Sequence, residues 1–218
     1  MSLTYVSQSC QRIGVYGGTF DPIHYGHLRP ALDVLCQLKL DQVRFIPCYQ
    51  PVHRSAPQVS SAQRCQMIEL AIANQLAFVL DKREIERQGP SYMVDTLQSL
   101  QADFPRAGLV LMMGTDAFAK FLQWHNWQQI LQLANVAVMH RPGEPLPNHG
   151  ELAALLQQRL VSELTADAGQ IVEVEVTQLD LSATRLRDLL KHNQPIDYLM
   201  PDAVINYIKT HQLYQEGI

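Results

Sequence analysis

The chain has 218 residues, of which 47% are hydrophobic, and a formal net charge of −4 at pH 7. This length suits one domain with a substantial core. The acidic balance does not favour bulk electrostatic binding to nucleic acid or to an anionic membrane. Neither an apolar run of about 18 residues nor a basic-then-apolar leader is present. We therefore expect a single domain over residues 1–218, with residues 1–11 as a frayed lead-in.

The cysteines show no pairing pattern. The four are Cys10, Cys36, Cys48 and Cys65, and no two have CxxC spacing. Free thiols in a reduced cytoplasm are therefore favoured over a metal or redox site.

The first chemically distinctive stretch, residues 13–29, reads IGVYGGTFDPIHYGHLR. It starts with a short apolar run, as a buried strand does. Gly17 and Gly18 follow, where the backbone can let a ligand approach closely, and Asp21-Pro22 predicts a turn. The helix expected next has one apolar face: Leu28, Ala31, Leu32, Leu35 and Leu38.

A strand, a glycine turn and a helix together make an anion site. The helix N-terminus gathers unpaired N–H groups and partial positive charge, which suit phosphate. His24 and His27 lie three residues apart on one face of the first turn and can add donors to the same anion. The competing interpretation is a tight turn with satisfied core histidines.

Strands and helices alternate along the rest of the chain. The further strands are expected at residues 43–47, 78–80, 109–113, 136–139 and 171–176. The further helices are expected from Ser60 or Ser61 onward, from Ser91 onward, and at residues 118–131, 151–164, 182–190 and 201–208. The charged stretch 81–89 is typical of a solvated edge, and the proline-rich loop 141–150 of a mobile segment.

This alternation predicts an α/β sandwich with a mostly parallel sheet and right-handed crossovers. Ligands of such sheets bind beyond the carboxyl ends of the strands, near the switch point in strand order. The turn at Gly17, the loop around His53, the turn at Asp116 and the turn at Ser182 all follow strands. They could therefore converge on one rim of the sheet.

The string GGTFDPIHYGH resembles the signature of the nucleotidylyltransferase superfamily, whose HxGH element holds the phosphates of ATP. GTF followed by DPIHYGHL resembles the nicotinate-mononucleotide adenylyltransferase branch. The segment LSATRLR, residues 181–187, is similar to the family's second ATP element, ISxTxIR. The resemblance implies a Rossmann-like, doubly wound sheet with helices on both faces. It also implies ATP contacts from Gly17, Gly18, Thr19, Phe20, His24, His27, Asp116, Ser182 and Arg187.

Three shorter segments extend the resemblance. QPVHR resembles the family's PxH(K/R) loop, SYMVDTL the SYTxxTL segment near the nicotinate ring, and GTD with a later tryptophan the GxD…W segment. Met93 stands where the family usually has threonine, so a hydroxyl contact there is not expected. The implied contacts to nicotinate mononucleotide come from Asp21, His53, Arg54, Tyr92, Thr96 and Trp124.

The resemblance implies a reaction: AMP passes from ATP to nicotinate mononucleotide, giving deamido-NAD and pyrophosphate. His24, His27 and Arg187 would be the catalytic residues. Mg²⁺ would be carried mainly by phosphate oxygens rather than by protein ligands. The expected partners are the two small-molecule substrates, without nucleic acid or membrane.

Two alternatives are other enzymes, and a third belongs to a different class. A pantetheine-phosphate adenylyltransferase shares the ATP elements, but the SYxxxTL and GTD…W segments argue against it. A class I tRNA synthetase fragment would need a KMSKS-like loop and a basic RNA surface. A nucleotide sensor without catalysis is disfavoured because His24, His27 and Arg187 are all present.

Overall fold

A computed structural model describes residues 11–52, 56–140, 146–177 and 179–215. The strands are β1 Arg12–Gly18, β2 Gln42–Pro47, β3 Phe78–Leu80, β4 Gly108–Gly114, β5 Asn135–His140, β6 Leu160–Val161 and β7 Ile171–Glu175. The helices are α1 Tyr25–Gln37, α2 Ser61–Ile72, α3 Arg83–Arg87, α4 Met93–Asp103, α5 Thr115–Phe118, α6 Trp127–Leu133, α7 Gly150–Arg159, α8 Ala183–Lys191 and α9 Asp202–Thr210, with a 3-10 turn at Phe121–Gln123.

The seven strands form one sheet in the order β3-β2-β1-β4-β5-β7-β6. Every neighbouring pair is parallel, which confirms the predicted α/β fold. Residues of α1, α2, α8 and α9 pack in the core cluster on one face, and residues of α4, α6 and α7 in the cluster on the other. Strand order reverses between β1 and β4, so the crevice expected to bind ligand opens there.

In the part of the chain that the structure describes, no helix combines the length and the apolar character needed to cross a membrane.

Two predicted helices differ in extent from the observed ones. The stretch 118–131 is divided because Asn126 has a left-handed φ of 51° and α6 starts only after it. The helix expected to reach Leu164 ends at Arg159, since Leu160 is extended and begins β6. That two-residue strand pairs with β7 and is too short to be recognised from its sequence.

The expectation of a solvated edge at residues 81–89 holds for its exposed residues Lys82 and 86–88 but was wrong for two of its acidic residues. Asp81 is 5% exposed and Glu84 3% exposed, and α3 lies in this stretch. Asp81 accepts hydrogen bonds from Arg44 Nε at 2.7 Å and from Arg83 Nε at 2.9 Å. Burial raises the pKa of Asp81, but the hydrogen bonds and charges of the two arginines outweigh it and hold that pKa below its ordinary value. Arg44, 37 positions away in sequence, and the near neighbour Arg83 thus make a buried charge tolerable.

We expect Asp81→Asn to lower the free energy of unfolding at pH 7 by roughly 3 kcal/mol. This value is the low end of the cost of breaking a buried ion pair, because the side chains of both arginines are partly exposed. A depressed folded-state pKa stabilises the fold above the unfolded pKa, and this stability is lost as the pH falls through the folded value. The difference between wild type and variant should therefore shrink below about pH 4. Urea unfolding of both proteins at pH 7 and in acid measures this difference in the free energy of unfolding.

Asp103→Asn is the matched control. Asp103 binds the same Arg83, at 3.1 Å, but its side chain is 58% exposed. An exposed ion pair contributes at most about 1 kcal/mol. Equal losses in the two variants would contradict the structural role assigned to Asp81.

Candidate active site

Two arginines hold the turn between β1 and α1, residues 19–24, by donating hydrogen bonds to its carbonyl oxygens. Arg64 Nη1 donates to the carbonyl of Thr19 at 2.8 Å, and Arg187 Nη1 donates to the carbonyl of Asp21 at 2.7 Å. Phe20, between them, has a left-handed φ of 49° and is buried. Its ring lies over Gly18, where a Cβ would come within 2.9 Å of it. The turn therefore requires both the glycine and the arginines.

The two histidines of the HxGH element meet at the start of α1. Their ring centroids are 3.9 Å apart, with His24 at the N-cap and His27 in the first turn. The backbone N–H of His24 donates to His27 Nδ1 at 3.4 Å. Because Nδ1 acts as an acceptor, the proton of a neutral His27 lies on Nε2. In this tautomer the N–H donor of His27 is at Nε2.

His24 is a buried and neutral imidazole. It is 3% exposed, and burial lowers its pKa from 6.5 to about 4. Its Nδ1 has no hydrogen-bond partner within the described residues. At neutral pH His24 can therefore form a hydrogen bond to an anion but adds no positive charge.

The second ATP element packs directly against the first. A Cβ on Gly26 would lie 2.9 Å from His24 Nδ1 and 3.2 Å from the carbonyl oxygen of Leu181. Glycine between the histidines thus lets the chain before α8 approach them. Ser182 caps α8, as predicted, by accepting from the Arg185 N–H at 3.2 Å.

Arg187 is the arginine of this segment that reaches the β1–α1 turn. Besides the Asp21 carbonyl, it donates from Nη2 to Thr184 Oγ1 at 3.4 Å. A guanidinium has five N–H donors, so others remain available to a ligand. Arg185, in contrast, is exposed and donates to the Asp180 carbonyl at 3.3 Å.

The remaining predicted ATP contacts lie along the same rim. Gly17 and Gly18 end β1, and Asp116 is exposed in the first turn of α5, directly after the adjacent β4. A Cβ on Gly17 would lie 2.6 Å from Met93 Cε. Met93 therefore fills space beside the glycine turn instead of presenting a hydroxyl.

The segments predicted to bind the acceptor also meet. The ring of Tyr92 stacks on that of His125 with centroids 4.5 Å apart, and Trp124, next to it in sequence, is partly buried against Phe121. An aromatic surface thus lies between the start of α4 and the 3-10 turn.

Thr96 has a different environment from the one that the sequence suggests. It is fully buried, and its hydroxyl donates to Glu84 Oε1 at 2.6 Å. Burial raises the pKa of Glu84, while hydrogen bonds from the Thr96 and Ser91 hydroxyls oppose that rise. In this arrangement Thr96 supports the segment rather than offering its hydroxyl to a ligand.

Ser91 joins the start of α4 to the loop after β2. Its Oγ accepts from the backbone N–H groups of Tyr49 at 2.9 Å and Gln50 at 3.3 Å. That loop continues to His53 and Arg54, which were predicted to contact the acceptor and lie outside the described residues.

Sequence reasoning missed four residues of this region: Arg64, Glu84, His125 and Tyr214. A signal existed for one of them. Arg64 has helical spacing with the apolar residues Met67, Ile68 and Ala71, so it lies on the buried face of α2. A charge on an apolar face needs a partner. The other three depend on contacts with segments distant in sequence.

The site offers few protein ligands for a metal. Among the described residues no group of three or more His, Cys, Asp or Glu side chains could hold a metal ion. Asp21 is the most central carboxylate that could contact a metal. It already accepts hydrogen bonds from the Tyr214 hydroxyl and from the Gln58 N–H, each at 2.8 Å. This donor set suits Mg²⁺ only if phosphate oxygens and water supply most of the ligands.

Comparison with known proteins agrees with this geometry. Residues 15–189 match the family model described as cytidylyltransferase-like. A relative from Hydrogenovibrio crunogenus, named "Probable nicotinate-nucleotide adenylyltransferase", is 60% identical over 95% of this chain and 100% of its own length. A relative of the same name from Dechloromonas aromatica is 46% identical over 94% and 98%. The chain belongs to the nicotinate-nucleotide adenylyltransferase family.

A solved structure shares the fold. The nicotinic acid mononucleotide adenylyltransferase of Plasmodium falciparum, complexed with NaAD, superposes with a TM-score of 0.72. The match covers 94% of this chain and 97% of the other at 18% identity. At that identity the likeness bears on the Rossmann-like fold alone.

We expect His24 to titrate near pH 4 in the folded protein, because its burial disfavours the charged imidazolium. It would be neutral at pH 7, and the fold would lose stability as the pH falls from about 6.5 toward 4, where the unfolded chain binds more protons. NMR titration of the imidazole resonances, assigned with His24→Gln, measures this. A midpoint at or above 6.5 would contradict the burial argument.

Proposed function

We propose that this protein transfers the adenylyl group of ATP to nicotinate mononucleotide, giving deamido-NAD and pyrophosphate. One observation carries the proposal: the HxGH element and the LSATRLR element, over 150 residues apart, pack against each other at the switch point of the sheet. The names of the relatives support the choice of acceptor.

The reaction needs no protein base. A phosphate monoester has a second pKa near 6, so the acceptor phosphate is ionised at pH 7. One of its oxygens attacks the α-phosphorus of ATP in line. The new phosphorus–oxygen bond forms as the bond to the β-phosphate oxygen breaks, and the electron pair leaves with pyrophosphate. Catalysis then consists of positioning and of stabilising charge.

Positively charged and neutral groups of the site have different tasks in this reaction. Arg187 supplies a permanent cation, and the N-termini of α1 and α8 add partial positive charge to the triphosphate site. Neutral His24 contributes a hydrogen bond to a phosphate oxygen. His27, with its proton on Nε2, stabilises the charge that grows on the leaving pyrophosphate. Asp116 accepts from a hydroxyl of the adenosine.

We assign Mg²⁺ as the metal of the reaction. When bound it would neutralise charge on the triphosphate, held mainly by phosphate oxygens. A metal-bound water is the alternative partner of Asp116, which is exposed in the first turn of α5.

The acceptor would bind beside the aromatic surface of Tyr92, His125 and Trp124. A ring such as Trp124 stacks on nicotinate and nicotinamide alike. Selection of the carboxylate over the amide would come from N–H groups at the start of α4, helped by the helix dipole. His53 and Arg54 remain predicted contacts on the phosphate side of the mononucleotide, and Asp21 remains a predicted contact to a hydroxyl or a metal-bound water. The Thr96 hydroxyl acts indirectly through Glu84.

The same proposal places the enzyme in the cytoplasm. Cys36, Cys48 and Cys65 are free thiols in the structure, which suits the reducing cytoplasm where we place the enzyme.

A panel of acceptors tests the function. Purified protein with ATP and Mg²⁺ is given nicotinate mononucleotide, nicotinamide mononucleotide or phosphopantetheine, and products are identified by mass. We expect deamido-NAD and stoichiometric pyrophosphate, with nicotinate favoured by one to two orders of magnitude over nicotinamide, because an amide loses charge-assisted bonds of roughly 1.5–3 kcal/mol. No release of pyrophosphate with nicotinate mononucleotide from folded protein would refute the proposal.

We expect Trp124→Ala to raise the KM for both mononucleotides about tenfold or more, because one stacked ring contributes roughly 1–3 kcal/mol. The KM for ATP should stay near the wild-type value. Steady-state kinetics with each substrate varied in turn measures both. Weakened ATP binding with unchanged acceptor binding would show that the acceptor pocket is misplaced.

A further inference from the structure

The C-terminal segment reaches into the proposed ATP site through one hydrogen bond. The hydroxyl of Tyr214 donates to Oδ1 of Asp21 at 2.8 Å, across 193 positions of sequence. Asp21 is 3% exposed and lies in the β1–α1 turn, whose backbone carbonyl is held by Arg187. Tyr214 therefore contacts the residue that also orients the predicted ATP-binding arginine.

Neutral donors occupy both oxygens of the Asp21 carboxylate. Tyr214 donates to Oδ1, and the backbone N–H of Gln58 donates to Oδ2 at 2.8 Å. Arg187 Nη1 lies 3.9 Å from Oδ2, too far for a hydrogen bond, and donates instead to the Asp21 carbonyl at 2.7 Å. The ion pair between this carboxylate and Arg187 is therefore a long one that includes no hydrogen bond.

The backbone on both sides of this bond is in an unusual conformation. Tyr214 has a φ of 63°, and Phe20, next to Asp21, has a φ of 49°. Residues with a side chain keep such left-handed angles where the surroundings determine them. Tyr214 follows Leu213, which is buried and whose N–H donates to the Ile208 carbonyl at 3.0 Å. The tyrosine is therefore placed by the fold rather than left as a frayed end.

Tyr214 and Arg187 also line the same cavity, of about 480 Å³, whose other charged lining residues are Asp188 and Lys191. An anion that approaches the guanidinium from this cavity passes beside the tyrosine. Burial, followed by the charge of Asp21, raises the pKa of Tyr214 above its ordinary value, so its hydroxyl remains a donor at working pH.

We propose that Tyr214 is a positioning residue for ATP: by donating to Asp21, it keeps that carboxylate from drawing Arg187 out of its long contact into a hydrogen-bonded ion pair. The guanidinium then stays available to the triphosphate. The inference rests on the proposed function, in which Arg187 binds ATP phosphates. Arg187 Nη1 lies 3.9 Å from Oδ2, so a shift of about 1 Å between the guanidinium and a carboxylate no longer held at Oδ1 would form a hydrogen bond.

The variant Tyr214→Phe removes only the hydroxyl. Oδ1 of Asp21 then loses its donor, and the carboxylate is free to turn that oxygen toward Arg187, whose Nη1 lies 3.9 Å from Oδ2. We expect the Kd for ATP, measured by calorimetry without acceptor, and the KM for ATP to rise about tenfold. Since the arginine is displaced rather than removed, kcat should fall by less than the rise in KM.

Tyr207→Phe is the matched control. Tyr207 is partly buried on α9, its ring stacks on His211 with centroids 4.1 Å apart, and its hydroxyl makes no hydrogen bond among the described residues. This variant loses the same atom from the same part of the chain. Its Kd for ATP should equal that of the wild type; a rise as large as that of Tyr214→Phe would overturn the proposal.

A double variant separates positioning from simple anchoring. In Asp21→Asn with Tyr214→Phe, the neutral amide attracts Arg187 less, so the Kd for ATP should return toward the wild-type value. A tyrosine that only anchors the chain end would give a double variant at least as weak as Tyr214→Phe. That result, or an unchanged Kd in Tyr214→Phe, would refute the role. The Kd for ATP does not depend on the acceptor, so a different acceptor in the panel would leave this test intact.

Discussion

The shape of the β1–α1 turn is the constraint on which the rest of the site depends. Its backbone is left-handed at Phe20, and arginines from two other segments hold the carbonyl oxygens on either side. Arg64 is 1% exposed and also donates to the Cys48 carbonyl at 2.6 Å, so it fixes the ends of β1 and β2 together. Such a conformation persists only because the surroundings determine it. Glycines before and after the turn let Phe20 and Leu181 pack closely.

In this arrangement, the positive charge of the site and its neutral hydrogen-bonding groups come from different residues. The fixed cation comes from Arg187, while His24 is kept neutral by burial and His27 has its proton directed to Nε2. A triphosphate that loses pyrophosphate needs donors aimed at the charge that develops, in a site that does not reorganise. A rigid turn with one buried and one partly buried imidazole meets that requirement better than flexible lysines would, because less conformational freedom is lost on binding.

Local patterns in the sequence predicted most of the fold. The apolar runs identified all strands except β6, and Ser60 and Ser182 cap the helices where their positions indicated. Interactions between residues close in the sequence determine strands and helix caps, so these features can be predicted from the sequence. Residues that pair over long distances were not predictable. Glu84 was expected in solvent, yet its burial depends on a hydroxyl twelve residues away, and Tyr214 has no local signal at all.

The most direct test of the account is a comparison of ATP binding and turnover in His27→Ala. If His27 stabilises charge that appears only in the transition state, kcat should fall about 10²–10³-fold, as when one oxyanion donor is removed. The Kd for ATP, measured by calorimetry, should change little. A kcat near the wild-type value would contradict the account and leave His27 as a packing residue against Phe20, with their ring centroids 5.1 Å apart.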